Sequence, residues 1–171
     1  MISFQNDILP LKNELFRLAL RITQNREDAE DVVQETMMKV WSRRADWPQI
    51  DSIEAFCLTI CRNISLDKLR RMEHQTTSLD ATLSPSLGEG QGVGLSTFNP
   101  EEQAVSRDRI ELVRRLIALL PEKQRSCIQL RDIEGKSYRD IATILDITEQ
   151  QVKINIFRAR QAIKQQFQQI K

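Results

Sequence analysis

Apolar residues recur at spacings of three and four along most of the chain, which is the period of an α-helix with one buried face. In the first 71 residues this pattern predicts three helices. Their apolar stripes are Leu15, Leu18, Ala19 and Ile22, then Ala29, Val32, Val33, Met37 and Val40, then Phe56, Ile60 and Ile64. Alternation with a period of two is nowhere sustained, so we expect an all-α fold.

Capping residues indicate where several of these helices begin. Asn25 precedes the second stripe, and the acids that follow it suit the positive end of a helix dipole. Asn99-Pro100 followed by two glutamates predicts another helix start. Pro121 opens a further helix, which Gly135 is expected to end.

Glycine and serine interrupt the helical pattern between residues 73 and 99. Four glycines fall within residues 88–94, and no apolar period offsets the entropy of ordering them. The chain is therefore predicted to form two small helical domains, 1–72 and 100–171, joined by a flexible linker at 73–99.

The last two predicted helices begin with the same pattern. Ser137 and Thr148 each stand three residues before an acid or an amide, which is the spacing of a capping box. A helix over 138–145, a three-residue turn and a longer second helix predict a helix-turn-helix at about 137–160. Asp146 replaces the usual turn glycine, and aspartate tolerates the left-handed conformation. An ordinary helical hairpin in a bundle is the alternative.

The second helix of this motif has one apolar face and one polar face. Gln can pair with adenine in the major groove, Arg with guanine, and an apolar side chain with the thymine methyl group. The residues expected to contact DNA are Arg139, Gln150, Gln151, Lys153, Ile154, Asn155, Phe157, Arg158 and Arg160. A solvated polar face, common on any helix, is the alternative interpretation.

Two further charged surfaces are predicted in the first domain. An acidic stripe on the second helix suits a basic protein partner rather than DNA. It comprises Asp28, Asp31, Gln34 and Glu35. The third helix, predicted over 53–71, ends in the mainly basic set Arg62, Asn63, Asp67, Lys68, Arg70 and Arg71. This set is either solvated charge favoured by the helix dipole or an edge that contacts phosphate.

Composition excludes several classes of protein. Hydrophobic residues make up 40% of the 171 residues and charged residues 29%, which is enough for a packed fold. Residues 121–171 hold ten basic and six acidic side chains, a modest nucleic-acid footprint. No apolar run approaches the roughly 20 residues of a membrane span, and we identify no secretory signal. A cytoplasmic protein without membrane insertion is expected.

The cysteines and the single histidine give little support to a metal site or an enzyme. Cys57 and Cys61 are four residues apart, and the single histidine, His74, is not far along the chain. A metal site would still lack a fourth ligand, and no Cys-x-x-Cys knuckle is present. With Cys127 the cysteines are odd in number, so we expect small apolar-core residues rather than a disulfide framework. We predict no metal, no cofactor and no catalytic residue, because no glycine-rich phosphate loop or nucleophile constellation is present.

Together these segments resemble the extracytoplasmic-function sigma factors, the smallest class within the sigma-70 family of bacterial RNA polymerase subunits. The N-terminal match is Asp28-Ala-Glu-Asp-Val-Val-Gln-Glu-Thr36 with Val40-Trp41, then Ile60-Cys-Arg-Asn63 and Asp67-Lys-Leu-Arg-Arg71. The C-terminal match is Leu120-Pro121, Tyr138-Arg-Asp-Ile-Ala142 and Phe157-Arg-Ala-Arg160. The segments follow the family's order and span nearly the whole chain outside the linker.

The resemblance implies roles for each part. The first domain would correspond to sigma region 2 and the second to region 4, with contacts to the beta-prime clamp helices and the beta flap of core RNA polymerase. The acidic stripe would dock on the clamp helices. Trp47 and the end of the third helix would capture the minus-ten promoter element, and the helix-turn-helix would read the minus-35 element. The linker would thread toward the RNA exit path, and an anti-sigma factor would mask these surfaces.

Two places depart from the family's pattern. Ile154-Asn155 stand where Ser-Arg is common, which leaves the minus-35 preference open. Phe56 stands where a tryptophan often precedes the Ile-Ala-Arg-Asn motif, and we interpret this as conservative packing. The alternatives to a sigma factor are a stand-alone helix-turn-helix regulator that binds operator DNA, and a helical adaptor without DNA affinity.

Overall fold

The computed structural model describes residues 1–76 and 100–170, and within these two segments every regular element is helical. The predicted all-α fold class is therefore confirmed. No helix of the described segments combines the length and the apolar character that crossing a membrane requires.

Three α-helices form the N-terminal half: α1 (Lys12–Thr23), α2 (Arg26–Ser42) and α3 (Ile53–Thr76). A π-helical turn and a 3-10 turn precede α1 at Phe4–Ile8 and Leu9–Leu11, and a 3-10 turn at Arg44–Gln49 joins α2 to α3. The side chain of Asn25 accepts a hydrogen bond from the backbone N–H of Asp28 at 3.1 Å, so the predicted cap of α2 is confirmed.

Helix α3 runs five residues beyond its predicted end at Arg71. The added residues from Met72 to Thr76 include neither glycine nor proline, so nothing in the local sequence ends the helix there. From residue 77 onward the predicted linker lies outside the described residues, and the domain boundaries stay a prediction.

Four α-helices form the C-terminal half: α4 (Pro100–Ala118), α5 (Glu122–Ile128), α6 (Tyr138–Leu145) and α7 (Glu149–Ile170). A π-helical turn at Gln129–Ile133 continues α5. Gly135 follows with a φ of +69°, a conformation that residues with a Cβ rarely adopt. The predicted helix start at Pro121 and stop at Gly135 are thus confirmed.

One apolar core connects the two halves. Helix α6 packs across α3, and α5 packs against both α1 and α7. Phe56 packs against this core, in agreement with its interpretation as a packing residue.

The three cysteines are free and buried within this core. Burial disfavours the thiolate and raises the pKa of each thiol, Cys57, Cys61 and Cys127, to about 12. The expectation that they are core residues is therefore confirmed.

Candidate nucleic-acid and protein interfaces

The helix-turn-helix is built by short-range hydrogen bonds. The hydroxyl of Ser137 accepts from the backbone N–H of Asp140 at 3.1 Å and caps α6. Asp146 ends α6 in the left-handed conformation, with φ 53° and ψ 50°. Thr148 and Gln151 then form a complete capping box, since each side chain accepts from the other's backbone N–H, at 3.1 and 3.0 Å. The motif is confirmed.

Buried apolar side chains hold the two helices of this motif against each other. Ile141 and Leu145 of α6 meet Val152, Ile156 and Ala159 of α7, and all five are at most 3% exposed. Because one face of α7 is fixed inward by this packing, the opposite face turns outward.

The outward face of α7 carries most of the predicted minus-35 residues. Exposed along it are Gln150, Gln151, Lys153, Ile154, Phe157 and Arg158. Phe157 is 64% exposed and Ile154 41%, and the two lie three residues apart on this face. Their exposure beside amides and cations suits contact with the edges and methyl groups of bases.

Three other predicted minus-35 residues differ in their surroundings. Arg139 is exposed at the start of α6. Asn155 is half-buried, and its side-chain amide donates to the carbonyl of Gln151 at 2.8 Å. Arg160 forms a two-point ion pair with Asp132, with distances of 2.5 and 3.1 Å, so its guanidinium already has a carboxylate partner.

The acidic stripe lies on the outer face of α2, where Asp31, Gln34 and Glu35 are exposed and Asp28 is half-buried. Two nearby cations partly balance it. Lys39 pairs with Glu35 and Lys68 with Asp31, each at 3.5 Å. Exposed pairs of this kind contribute little to stability, so the carboxylates remain available to a basic partner.

A small apolar cleft continues the acidic stripe along α2 and was not predicted from the sequence. Phe4, Met37, Met38 and Trp41 line it. Met38 is 72% exposed and Trp41 49%, and the ring of Trp41 packs edge-on against that of Phe4. The available signal was the spacing of Gln34, Met38 and Trp41, which places them on one helix face.

The predicted minus-ten residues on α3 are divided by the structure. Asn63, Asp67, Arg70 and Arg71 are exposed, and Lys68 is partly so. The side chain of Arg62 is only 9% exposed. Its Nη2 lies 3.7 Å from an oxygen of Glu122 in α5. Its Nε is buried without a hydrogen-bond partner.

Trp47 lies in the 3-10 turn between α2 and α3, where it is 7% exposed. Its indole N–H donates to the carbonyl of Val40 at 3.1 Å, and its ring packs edge-on against Trp41. In this structure Trp47 fastens the turn to α2. A contact with promoter DNA stays a prediction for this residue.

Comparisons with known proteins match both halves of the chain to family models. Residues 8–75 match the model described as Sigma-70 region 2, and residues 110–163 match Sigma-70, region 4. The RNA polymerase sigma-H factor of Pseudomonas aeruginosa is 30% identical over 165 residues, covering 95% of this chain and 86% of that protein. The ECF RNA polymerase sigma-E factor of Escherichia coli K12 is 32% identical over 145 residues, or 82% and 74% of the two chains.

Solved structures share the fold. The sigma factor RpoE of Bartonella quintana, in complex with the anti-sigma factor NepR, matches 96% of both chains with a TM-score of 0.75 and 22% identity. CnrH in complex with the cytosolic domain of CnrY matches 96% of this chain and 87% of that one, with a TM-score of 0.64 and 19% identity.

Proposed function

Because the chain belongs to the extracytoplasmic-function class of sigma-70 family RNA polymerase sigma factors, we propose that the surfaces described above divide polymerase and promoter binding among them. As a sigma factor the protein directs promoter-specific initiation of transcription by core RNA polymerase. It lends specificity to that enzyme and performs no catalytic step of its own.

The acidic stripe on α2 is the proposed docking site for the beta-prime clamp helices. The carboxylates of Asp31 and Glu35 are exposed on one face of α2 and that of Asp28 is half-buried beside them, so a basic partner helix can approach this face. The adjoining cleft at Met38 and Trp41 adds an apolar contact to this charged surface. The beta flap is the proposed partner of the C-terminal half.

The outward face of α7 is the proposed reader of the minus-35 element. The observation that carries this assignment is the complete capping box at Thr148, which fixes the first turn of α7 and presents Gln150, Ile154 and Arg158 outward. Arg139 is placed for phosphate contact. Arg160 would have to exchange Asp132 for a phosphate.

The end of α3 is the proposed contact to the minus-ten element. Four of its polar side chains are already exposed, and Trp47 lies in the turn that leads into α3. Arg62 belongs to this surface by its position on the helix, although α5 covers it in this structure.

An anti-sigma factor is the proposed regulator. Both structural relatives above were solved as complexes, the sigma factor RpoE with the anti-sigma factor NepR and CnrH with the cytosolic domain of CnrY. The proposed place of action is the cytoplasm, where polymerase and promoter DNA are found.

The test combines one selection and two pairs of matched variants. Transcription from a random promoter library with core polymerase and the purified chain identifies the recognised elements. Glu35→Lys is expected to weaken binding to core polymerase, whereas Asp46→Lys, the same charge change at an exposed position of the turn after α2, leaves it near wild type. Arg158→Ala is expected to spare core binding and to reduce minus-35 recognition by about tenfold or more. The control for Arg158→Ala is Lys164→Ala, which removes one positive charge from the same helix.

The reverse outcome, with Arg158→Ala impairing core binding and Glu35→Lys impairing minus-35 recognition, contradicts the assignment of the surfaces. Tight, sequence-specific binding of DNA by the chain without polymerase would instead favour a stand-alone regulator.

A further inference from the structure

The sulfur atoms of this chain differ in their exposure to solvent. The side chains of Cys57, Cys61 and Cys127 carry free thiols and are fully buried. Burial raises the pKa of each thiol to about 12, so almost none is present as the reactive thiolate at neutral pH. The sulfur atoms open to a dissolved oxidant are therefore those of methionine.

Met38 is the most exposed methionine within a helix of the described segments. It is 72% exposed in the second half of α2, whereas the adjacent Met37 is half-buried and packs against the core. Successive residues of a helix point about 100° apart, which is why one of these two methionines faces the core and the other faces solvent. Met72, near the end of α3, is 40% exposed, and Met1 is the terminal residue.

The surroundings of Met38 give its oxidation a consequence for binding. Gln34 lies four residues before it and Trp41 three residues after it, so the three share the face of α2 that carries the acidic stripe. With Phe4, Met37 and Trp41, Met38 lines the apolar cleft that continues this stripe. The proposed docking surface for polymerase therefore includes an exposed thioether.

Oxidation of a thioether by hydrogen peroxide is a two-electron oxygen transfer. A lone pair of the sulfur attacks one peroxide oxygen, and the O–O bond breaks as the S–O bond forms. The transferred hydroxyl then gives its proton to the departing hydroxide, which leaves as water. The thioether is oxidised to a sulfoxide and the peroxide is reduced. Methionine sulfoxide reductases reverse the change.

A sulfoxide at this position changes what a partner has to bury. The thioether is flexible and apolar, and it packs well against irregular and aromatic surfaces. The sulfoxide oxygen is a hydrogen-bond acceptor that water hydrates in the free chain. A partner helix that covers the apolar cleft has to remove this water, which costs binding free energy.

We propose that Met38 is a site of reversible oxidation, at which a peroxide converts the thioether to a sulfoxide and thereby weakens docking of the chain on core polymerase. This inference rests on the proposed role of the acidic stripe and its adjoining cleft in polymerase binding. It assigns a redox response to the docking surface itself, while the buried cysteines take no part in it.

The test treats the purified full chain with hydrogen peroxide and removes the peroxide with catalase before core polymerase is added, so that polymerase is not oxidised. Peptide mass spectrometry is expected to find Met38 oxidised before Met37 and the three cysteines unmodified. The affinity of the fluorescently labelled chain for core polymerase should fall by about tenfold. Subsequent treatment with methionine sulfoxide reductases should restore it.

Three variants locate the effect. Met38→Leu keeps an apolar side chain without sulfur, so its affinity for core polymerase should be the same before and after peroxide treatment. Met37→Leu leaves Met38 in place and should lose affinity on treatment as wild type does. Met38→Gln places a neutral hydrogen-bonding group at this position and should bind core polymerase more weakly than Met38→Leu in the absence of any oxidant.

Three results overturn the proposal: a Met38 that stays unmodified while Met37 or a cysteine is oxidised, an oxidised chain that binds core polymerase as tightly as the untreated chain, or a Met38→Leu chain that loses as much affinity as wild type. Failure of the proposed docking site is recognised separately. In that case Glu35→Lys binds core polymerase as wild type does, whereas failure of the oxidation proposal alone leaves the effect of Glu35→Lys in place.

Discussion

Oε1 of Glu14 and Nζ of Lys136 lie 2.7 Å apart, although the two residues belong to opposite halves of the chain and each side chain is 13% exposed. Burial by itself would lower the pKa of Lys136, but its close contacts with the carboxylates of Glu14 and Glu54 hold that pKa above its usual value. Lys136 therefore stays charged at neutral pH and forms ion pairs with carboxylates from two helices.

This proximity predicts a specific covalent link. A water-soluble carbodiimide activates a carboxylate, and the neighbouring lysine, after it gives up a proton to solvent, attacks as the amine, displaces the urea and forms an amide. In the free protein, mass spectrometry should find Lys136 joined to Glu14 or Glu54. Lys39 and Glu35, 3.5 Å apart within α2, give a reference link in the free protein. Finding that reference without any link at Lys136 would contradict the contacts of Lys136 with Glu14 and Glu54.

Trp47 and Trp41 form a matched pair for the turn between α2 and α3. Trp47→Phe removes the donor to the Val40 carbonyl and leaves space around a buried ring, which should lower the free energy of unfolding by about 1–3 kcal/mol. Trp41→Phe keeps an aromatic ring at a half-exposed position and should cost less than about 1 kcal/mol. Urea denaturation measures both. Equal losses would mean that the indole hydrogen bond does not hold this turn.

Two threonines separate capping from helix propensity in the helix-turn-helix. Thr148→Ala removes the acceptor for the backbone N–H of Gln151, and its expected cost is about 1 kcal/mol of unfolding free energy. Thr143→Ala lies inside α6, where the hydroxyl bonds only to the carbonyl of Arg139, so the change should be neutral or slightly stabilising. A larger loss at Thr143 than at Thr148 would argue against the capping box as the main support of α7's first turn.

The buried thiols make stability depend on pH in the alkaline range. Their pKa is raised from 9.0 to about 12 by burial, so the unfolded chain releases its protons first as the pH rises. The stability they contribute is complete below about pH 9 and is lost between pH 9 and 12, by at most about 1.4 kcal/mol per pH unit for each thiol. Urea unfolding at pH 8, 9 and 10 should show this decline. In a variant with all three cysteines changed to alanine, the free energy of unfolding should fall less steeply with rising pH. An unchanged slope would show that the thiols do not cause the decline.

Glu134 makes stability depend on pH in the acid range, where stability is lost as the pH falls rather than as it rises. Burial alone would raise its pKa, but hydrogen bonds from Arg17 and Gln129 hold the pKa below its usual value. The stability that this group contributes is present above about pH 4.5 and is lost as the pH falls further. Glu134→Gln should therefore flatten the loss of stability between pH 5 and 3 in thermal melts. A variant that keeps the full wild-type acid dependence would contradict the pairing with Arg17.

The features that sequence predicted well are those decided within a few residues. Asn25, Ser137 and Thr148 cap their helices because each side chain reaches a backbone N–H three residues away. The apolar faces of α6 and α7 follow from helical period in the same way.

The features that sequence did not predict depend on residues far apart in the chain. The local sequence shows that Lys136 carries a charge. It does not show that the ion-pair partners of Lys136 are Glu14 and Glu54. From sequence, Arg62 is expected to be an exposed cation on a basic helix end, whereas in the structure it is buried and faces Glu122 of α5. The burial of Trp47 follows from the path of the turn across α2, which no local sequence pattern indicates.

The shared apolar core gives the packing of the two halves a temperature dependence. Separating α5 and α6 from α1 and α3 would expose apolar surface to water, so their separation carries a positive change in heat capacity. Near room temperature the apolar part of this packing therefore strengthens on warming and weakens on cooling, while its ionic part responds to salt. Cold and ionic strength thus act on the same equilibrium through different parts of one interface.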